Sequence, residues 1–211
     1  MRILFLCNEY PPTIHGGIGT FTRDIAIGLA KEGHDVSIWG LYNDINEPIF
    51  ESKNNVKIFR HPVQSFSGRI NLLYFLINFN LKLRSFLRKK RKFDIIECQE
   101  WQGLLPFGLN NENLVVRIHG ASIFFDTLLK RKGSRLVHFL EKKTMKNANS
   151  LIAVSNFCGT KTLELANIQR NFKTIYNCVD TKSILKYHKG DYIKYRIVFA
   201  NSMLPKKGVV E

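Results

Sequence analysis

The opening forty residues constrain this chain more than any other stretch. The strand read over residues 2–7 holds an uninterrupted apolar run from Ile3 to Cys7, followed by Pro11-Pro12, then His15-Gly16-Gly17-Ile18-Gly19, then a helical pattern. An unbroken apolar strand is expected where both faces of a parallel sheet are covered. Parallel neighbours cannot be joined by a hairpin, so a strand, a tight turn and a helix in that order commit the chain to βαβ units. Thr20 reads as the helix N-cap. Phe21, Ile25, Gly28 and Leu29 make one face, and the helix stops at Gly33.

The same rhythm continues downstream. Strands are expected at 35–39, 56–59, 94–98, 114–119, 150–154 and 173–176, and helices at about 70–90, at about 134–147 and from about Ser155. Alternation of this kind predicts an α/β fold, a doubly wound and mostly parallel Rossmann-like sheet. Residues 187–194 are polar and read as a linker. A fresh apolar strand at 196–200 leads into Asn201-Ser202-Met203-Leu204-Pro205-Lys206-Lys207-Gly208. We therefore expect a first domain over 1–194 and, over 195–211, the start of a second domain that is not finished.

Charge narrows the partners. Lys and Arg total 32 against 17 Asp and Glu, a formal net charge of +15 over 211 residues. That excess favours polyanions: nucleic acid, anionic lipid or phosphorylated substrates. An apolar share of 45% excludes a disordered chain. The cysteines Cys7, Cys98, Cys158 and Cys178 are widely spaced, without CxxC or zinc-finger spacing, which fits buried thiols in a reducing compartment. The first apolar run is too short for a signal-peptide core, and no stretch reaches the roughly 20 apolar residues of a spanning helix. The expectation is a soluble, cytoplasmic protein.

Ligands of open parallel sheets sit beyond the carboxyl ends of the strands. The Gly16-Gly17 loop opens a helix, where free N–H groups and the positive dipole end suit phosphate, or it is a tight turn. His119-Gly120 ends a strand, and His119 could hydrogen-bond a sugar or be structural. Ser155-Asn156 and Asn177-Cys178-Val179-Asp180 could each simply cap or turn. Cys98-Gln99-Glu100-Trp101 could set a carboxylate and an aromatic face against a sugar, or supply an N-cap and a core Trp.

Taken in order, these segments resemble glycosyltransferase family 4, whose members have the GT-B fold. The likeness rests on the opening strand, "NEYPP", the Gly-Gly loop and "LAKEGHDV", then on "VVRIHG", "LIAVSNF", "TIYNCVD" and "IVFANSMLPKKGV", and so runs from end to end. It implies a retaining enzyme that uses a nucleotide-sugar co-substrate, with no metal and no further cofactor. Two Rossmann-like domains would face each other across a cleft, the N-terminal one holding a glycan or lipid-linked acceptor and the C-terminal one the nucleotide. By this resemblance Gly16 and Gly17 meet the donor phosphates, His119 contacts the transferred sugar, and Lys207 neutralises the leaving diphosphate. Glu100 and Trp101 are acceptor candidates. Asn201-Ser202 stands where the family has Gly-Arg, and Cys178 where it has Gly. The chain alone is expected to be inactive, and its exposed domain face invites a homodimer.

The long helix carries a second expectation. A wheel sets Leu72, Leu76, Phe79, Leu83 and Phe86 on the core side and Asn71, Asn78, Lys82, Ser85 and Lys89 opposite, with Phe75 among the polar residues. Arg88-Lys89-Lys90-Arg91-Lys92 is either a solvated helix end or an anchor. As an anchor, the segment from Lys82 to Lys92 would hold the domain on the inner face of an anionic membrane. The competing class is a basic Rossmann-like module for nucleic acid, but the chain has no RNP-like aromatic pair and that class leaves the strand-end motifs unexplained.

Overall fold

The first strand is buried because its side chains alternate between two apolar layers. In β1 (Arg2–Leu6), Leu4 and Leu6 point into one core, while Ile3, Phe5 and the following Cys7 point into the other. The computed structural model describes residues 1–13, 16–63, 69–109, 113–179, 181, 194–196 and 198. Met1–Cys178 forms one unit and Val179–Glu211 another. The expected linker and the expected strand at 196–200 therefore fall largely, and Lys207 wholly, outside the described residues.

Within the first unit, β1 is followed by α1 (Gly17–Lys31), β2 (Asp35–Tyr42), β3 (Ile49–Lys53), β4 (Val56–Pro62) and α2 (Arg69–Arg88). Then come β5 (Ile95–Gln99), a 3-10 turn (Trp101–Gly103), β6 (Leu114–Ile118), α3 (Ser122–Leu128) and α4 (Arg135–Asn147). The unit ends with β7 (Ser150–Ala153), α5 (Asn156–Leu165) and β8 (Lys173–Thr174). The eight described strands form one sheet in the order β3-β4-β2-β1-β5-β6-β7-β8, parallel except where β3 runs against β4. Ala26 and Ala30 of α1 pack on one face. Phe79 and Leu83 of α2, Leu140 and Met145 of α4 and Leu163 of α5 pack on the other. The expected doubly wound α/β fold is what the chain adopts.

Local expectations are corrected at several points. The helix begins at Gly17, and Gly16 rather than Thr20 is its N-cap. Gly16 has no side chain to cap with, and Glu9 instead reaches in from the preceding loop and accepts the Gly19 N–H at 2.7 Å. β3 and α3 were not expected. β3 is an edge strand with four of its five residues exposed, so it lacks the alternation that marks a half-buried strand. The last strand pairs only over Lys173–Thr174. Cys7, Cys98 and Cys158 are buried thiols, but Cys178 is exposed.

α2 is also rotated relative to the wheel. Leu76, Phe79, Leu83 and Phe86 are buried as expected, and Leu72 and Phe75 are partly buried against the same core. The outermost line, however, is Leu73, Ile77 and Leu81, while Asn78, Lys82 and Ser85 are only half-exposed on the flank. Lys82 donates to the Pro62 carbonyl at 2.7 Å, and Lys90 lies over the rings of Phe59 and Phe86 at 4.7 and 5.6 Å.

Candidate functional site

Strand order reverses direction between β1 and β5: β2 and β4 lie to one side of β1, and β5, β6, β7 and β8 to the other. The helices that leave this point diverge to opposite faces of the sheet and open a crevice at the carboxyl edge. A small open cleft sits there, lined by Phe5 and Leu6 of β1, Ile18, Phe21 and Thr22 of α1, Glu97, Cys98 and Gln99 of β5, and Arg117 and His119 from β6 and its end.

His119 reaches the cleft because a strand alternates its side chains, so Arg117 and His119 share a face. Its ring meets Phe21 edge-on at 5.3 Å. That contact joins the start of α1 to the end of β6, which puts the Gly-Gly loop and the histidine on one edge of the sheet. Burial, helped by the neighbouring Arg117, lowers the His119 pKa to about 4. The imidazole is therefore neutral near pH 7, with one N–H donor and one acceptor.

Arg117 carries the charge beneath it. Its guanidinium is 4% exposed, pairs with Glu97 at 2.6 Å, donates to the Ile175 carbonyl at 3.1 Å and stacks over Phe21 at 4.7 Å. Neither Arg117 nor Glu97 was singled out from the sequence. The available signal was an arginine and a glutamate inside strands otherwise apolar enough to be buried.

The backbone on which His119 sits is fixed by Glu100. One oxygen of this carboxylate accepts the N–H groups of both His119 and Gly120, at 2.8 and 2.7 Å. Gly120 has φ +116, and a Cβ there would lie 2.7 Å from Phe125, so the turn needs glycine. Glu100 is fully buried, and burial pushes its pKa up to about 8. Its second oxygen is buried with no partner among the described residues. Glu100, an acceptor candidate by sequence, is thus turned inward to the His119 loop. Trp101 begins the 3-10 turn beside it and is half-buried.

A second buried carboxylate completes the brace. Glu141 of α4 accepts from Gln102 N at 3.2 Å, from Ser122 N at 2.9 Å and from Ser122 Oγ at 2.7 Å, and burial raises its pKa. It ties the turn after β5 to the start of α3. On the β1 side, the buried Arg60 of β4 donates to the carbonyls of Tyr10 (3.3 Å) and Pro11 (2.6 Å) and so holds the Pro-Pro loop.

At the start of α1, Gly16 lies against the Glu9 carboxylate, 3.5 Å from where its Cβ would be, whereas Gly17 has open space on its Cβ side. A ligand could approach the backbone at Gly17. The competing anion, Glu9, already holds Gly19. Farther along the sheet edge, Ser155 takes the capping role left open for it, accepting the Cys158 N–H at 3.1 Å.

Comparison with known proteins places this geometry. Residues 15–183 match the family model described as Glycosyltransferase Family 4. An uncharacterized glycosyltransferase of Methanocaldococcus jannaschii is 26% identical over 186 residues, which cover 85% of this chain and 47% of that protein. Among solved structures, sucrose-phosphate synthase from Thermosynechococcus elongatus superposes with a TM-score of 0.63 at 16% identity, covering 83% of this chain and 47% of that one. The starch synthase IV catalytic domain of Arabidopsis thaliana, bound to ADP and acarbose, gives 0.55 at 17% identity over 86% of this chain and 52% of its own. An E. coli trehalose-6-phosphate structure bound with UDP-2-fluoro glucose gives 0.59 at 15% identity over 90% and 52%. The chain spans about half the length of each of these relatives.

Proposed function

Because the chain belongs to glycosyltransferase family 4, we propose that it forms the acceptor-side wall of an enzyme that moves a sugar, with retention of configuration, from a nucleotide-sugar to a glycan or lipid-linked acceptor. One observation carries this reading: a braced, neutral histidine shares a cleft at the sheet's switch point with the start of a glycine-opened helix.

In this proposal the Gly17 backbone meets the donor diphosphate, and Gly16 sets the helix entry against Glu9. A departing nucleoside diphosphate gains negative charge, so donors already in place lower the barrier. Neutral His119 donates or accepts one hydrogen bond at the transferred sugar. Since it carries no charge, charge compensation falls to Arg117 below it and to Lys207, which we assign to the leaving diphosphate. Trp101 is the remaining acceptor candidate. Glu100 acts through His119 and is a positioning residue.

One wall offers few donors, and contacts open to water gain only about 1 kcal/mol each. We therefore expect the 211-residue chain to bind nucleotide-sugars only in the millimolar range, equivalent to about 4 kcal/mol, and to transfer nothing. The test is nuclear magnetic resonance titration of this chain with UDP- and ADP-sugars, together with a transfer assay. Weak shifts confined to Gly17, Ile18 and His119 are the expected result. Micromolar binding with transfer would overturn the two-wall reading, and shifts elsewhere would overturn the site.

A further inference from the structure

The outward face of α2 is unlike that of a solvated helix. Leu73 is 49% exposed, Ile77 60% and Leu81 64%, with Tyr74 beside them. At 3.6 residues per turn these three leucine and isoleucine side chains fall within one narrow arc, directly opposite the buried Phe79 and Leu83, and form a ridge about 12 Å long. Arg84 and the exposed Arg88 extend that arc to the end of the helix, and the exposed Lys89, Arg91 and Lys92 follow in the segment just beyond it. No residue of α2 is acidic. Among the described residues, none of Arg88, Lys89, Arg91 and Lys92 is in an ion pair.

We propose that this face of α2 lies in the surface of an anionic bilayer, the ridge of Leu73, Ile77 and Leu81 entering the boundary of the acyl region and the cations meeting the headgroups. The charge pattern selects the occupant. A convex apolar ridge running straight into a cation cluster, with no carboxylate on its helix, matches an interface that is apolar in depth and negative at its surface. A self-complementary contact would cover the ridge but leave the cations unmet, since the helix carries no carboxylate to receive them. No described helix is long and apolar enough to cross a membrane, so α2 lies on the surface rather than spanning it. This reading goes beyond the transfer chemistry. Vesicle binding needs neither donor nor acceptor, so its failure would leave the proposed function standing.

The test is co-sedimentation of the 211-residue chain with vesicles of phosphatidylcholine alone, and of phosphatidylcholine with phosphatidylglycerol. The parent should bind only the anionic vesicles, and more weakly as salt rises. The fourfold variant Arg88→Gln, Lys89→Gln, Arg91→Gln and Lys92→Gln should lose at least about a hundredfold in partitioning, since each cation near an anionic surface contributes roughly fivefold. The pair Ile77→Gln and Leu81→Gln should lose about tenfold or more while melting like the parent. Lys90 is left alone because it packs on Phe59 and Phe86. Equal binding to both vesicles, or unchanged binding by the apolar pair, would overturn the proposal. So would self-association of the parent, measured by sedimentation, that the apolar pair abolishes, since a second copy would then own the face.

Discussion

A single carboxylate oxygen of Glu100 holds the backbone N–H of His119 at 2.8 Å while also accepting from Gly120 at 2.7 Å. The relationship is one of position. The imidazole is presented to the cleft by a turn that cannot relax without leaving two buried N–H groups unpaired. Glu100→Gln keeps the accepting oxygen and should fold with nearly parental stability. Glu100→Ala removes it and should cost about 3 kcal/mol, the scale of buried donors left unmet. Chemical denaturation of the two variants decides this, and equal losses would show that the hydrogen bonds are incidental.

The same residue predicts a pH dependence. Folding raises the Glu100 pKa from 4.5 to about 8, so between those values the folded chain holds a proton that the unfolded chain has lost. Stability from this group is full below the lower value and declines as pH rises through about 8. His119 acts with the opposite sign. Its pKa falls from 6.5 to about 4, so its contribution grows as pH rises across that window and is complete above it. Thermal melts from pH 6.5 upward should therefore fall with Glu100 unopposed by His119. Glu100→Gln should flatten that decline, and an unchanged slope would remove Glu100 as its source.

For His119 itself, a neutral ring predicts catalysis that survives mild acid. In the proposed two-domain enzyme, turnover limited by this residue should hold to near pH 5, well below the ordinary titration range of histidine. His119→Ala should lower kcat more than it raises the donor's KM, because the proposed contact strengthens as the sugar–phosphate bond breaks. Parental turnover in that variant would leave the histidine a purely structural role.

Gly17 separates folding from binding. Open space surrounds its missing side chain, and it begins a helix at ordinary backbone angles. Gly17→Ala should leave stability within about 1 kcal/mol of the parent, since alanine is the better helix former. In the proposed two-domain enzyme the same methyl group would stand where the proposal places the diphosphate, so the donor's KM should rise. A variant with unchanged donor kinetics would move the phosphate away from this loop.

How much of this was readable in advance follows from which forces are local. β1 and β2 announce themselves because both of their faces are largely apolar, and α1 ends legibly at Gly33. The cap at the other end of α1 was misassigned to Thr20 because the group that satisfies it, Glu9, arrives from another loop. β3 escaped notice because an exposed edge strand carries no alternation. Its turn at Asn54-Asn55, with φ of 53 and 61, was the available hairpin signal. On α2 the core stripe is legible, but the outward ridge is not, because the polar Asn78, Lys82 and Ser85 lie on the flank and mask the apolar line that stands opposite Phe79. In the cleft, His119 and the glycines stand out by motif. Arg117, Glu97 and the inward turn of Glu100 are long-range pairings that no window of sequence displays.

The Arg117–Glu97 pair supplies the last prediction. Both side chains are nearly out of contact with water, 4% and 11% exposed, and the arginine also donates to the Ile175 carbonyl and covers the Phe21 ring. Breaking such a pair by removing one partner strands the other charge, and the cost is typically about 3–5 kcal/mol. Arg117→Met should therefore be severely destabilising through the uncompensated Glu97. Adding Glu97→Met to it should recover much of the loss, because two apolar side chains of similar volume satisfy the same space without a buried charge. If the pair exists to hold the fold, the double variant should also restore the cleft. If Arg117 is there to place positive charge under the departing diphosphate, the double variant will fold and yet fail to assist transfer in the proposed two-domain enzyme. Stability measured beside kcat distinguishes the two, and the proposed function requires the second outcome.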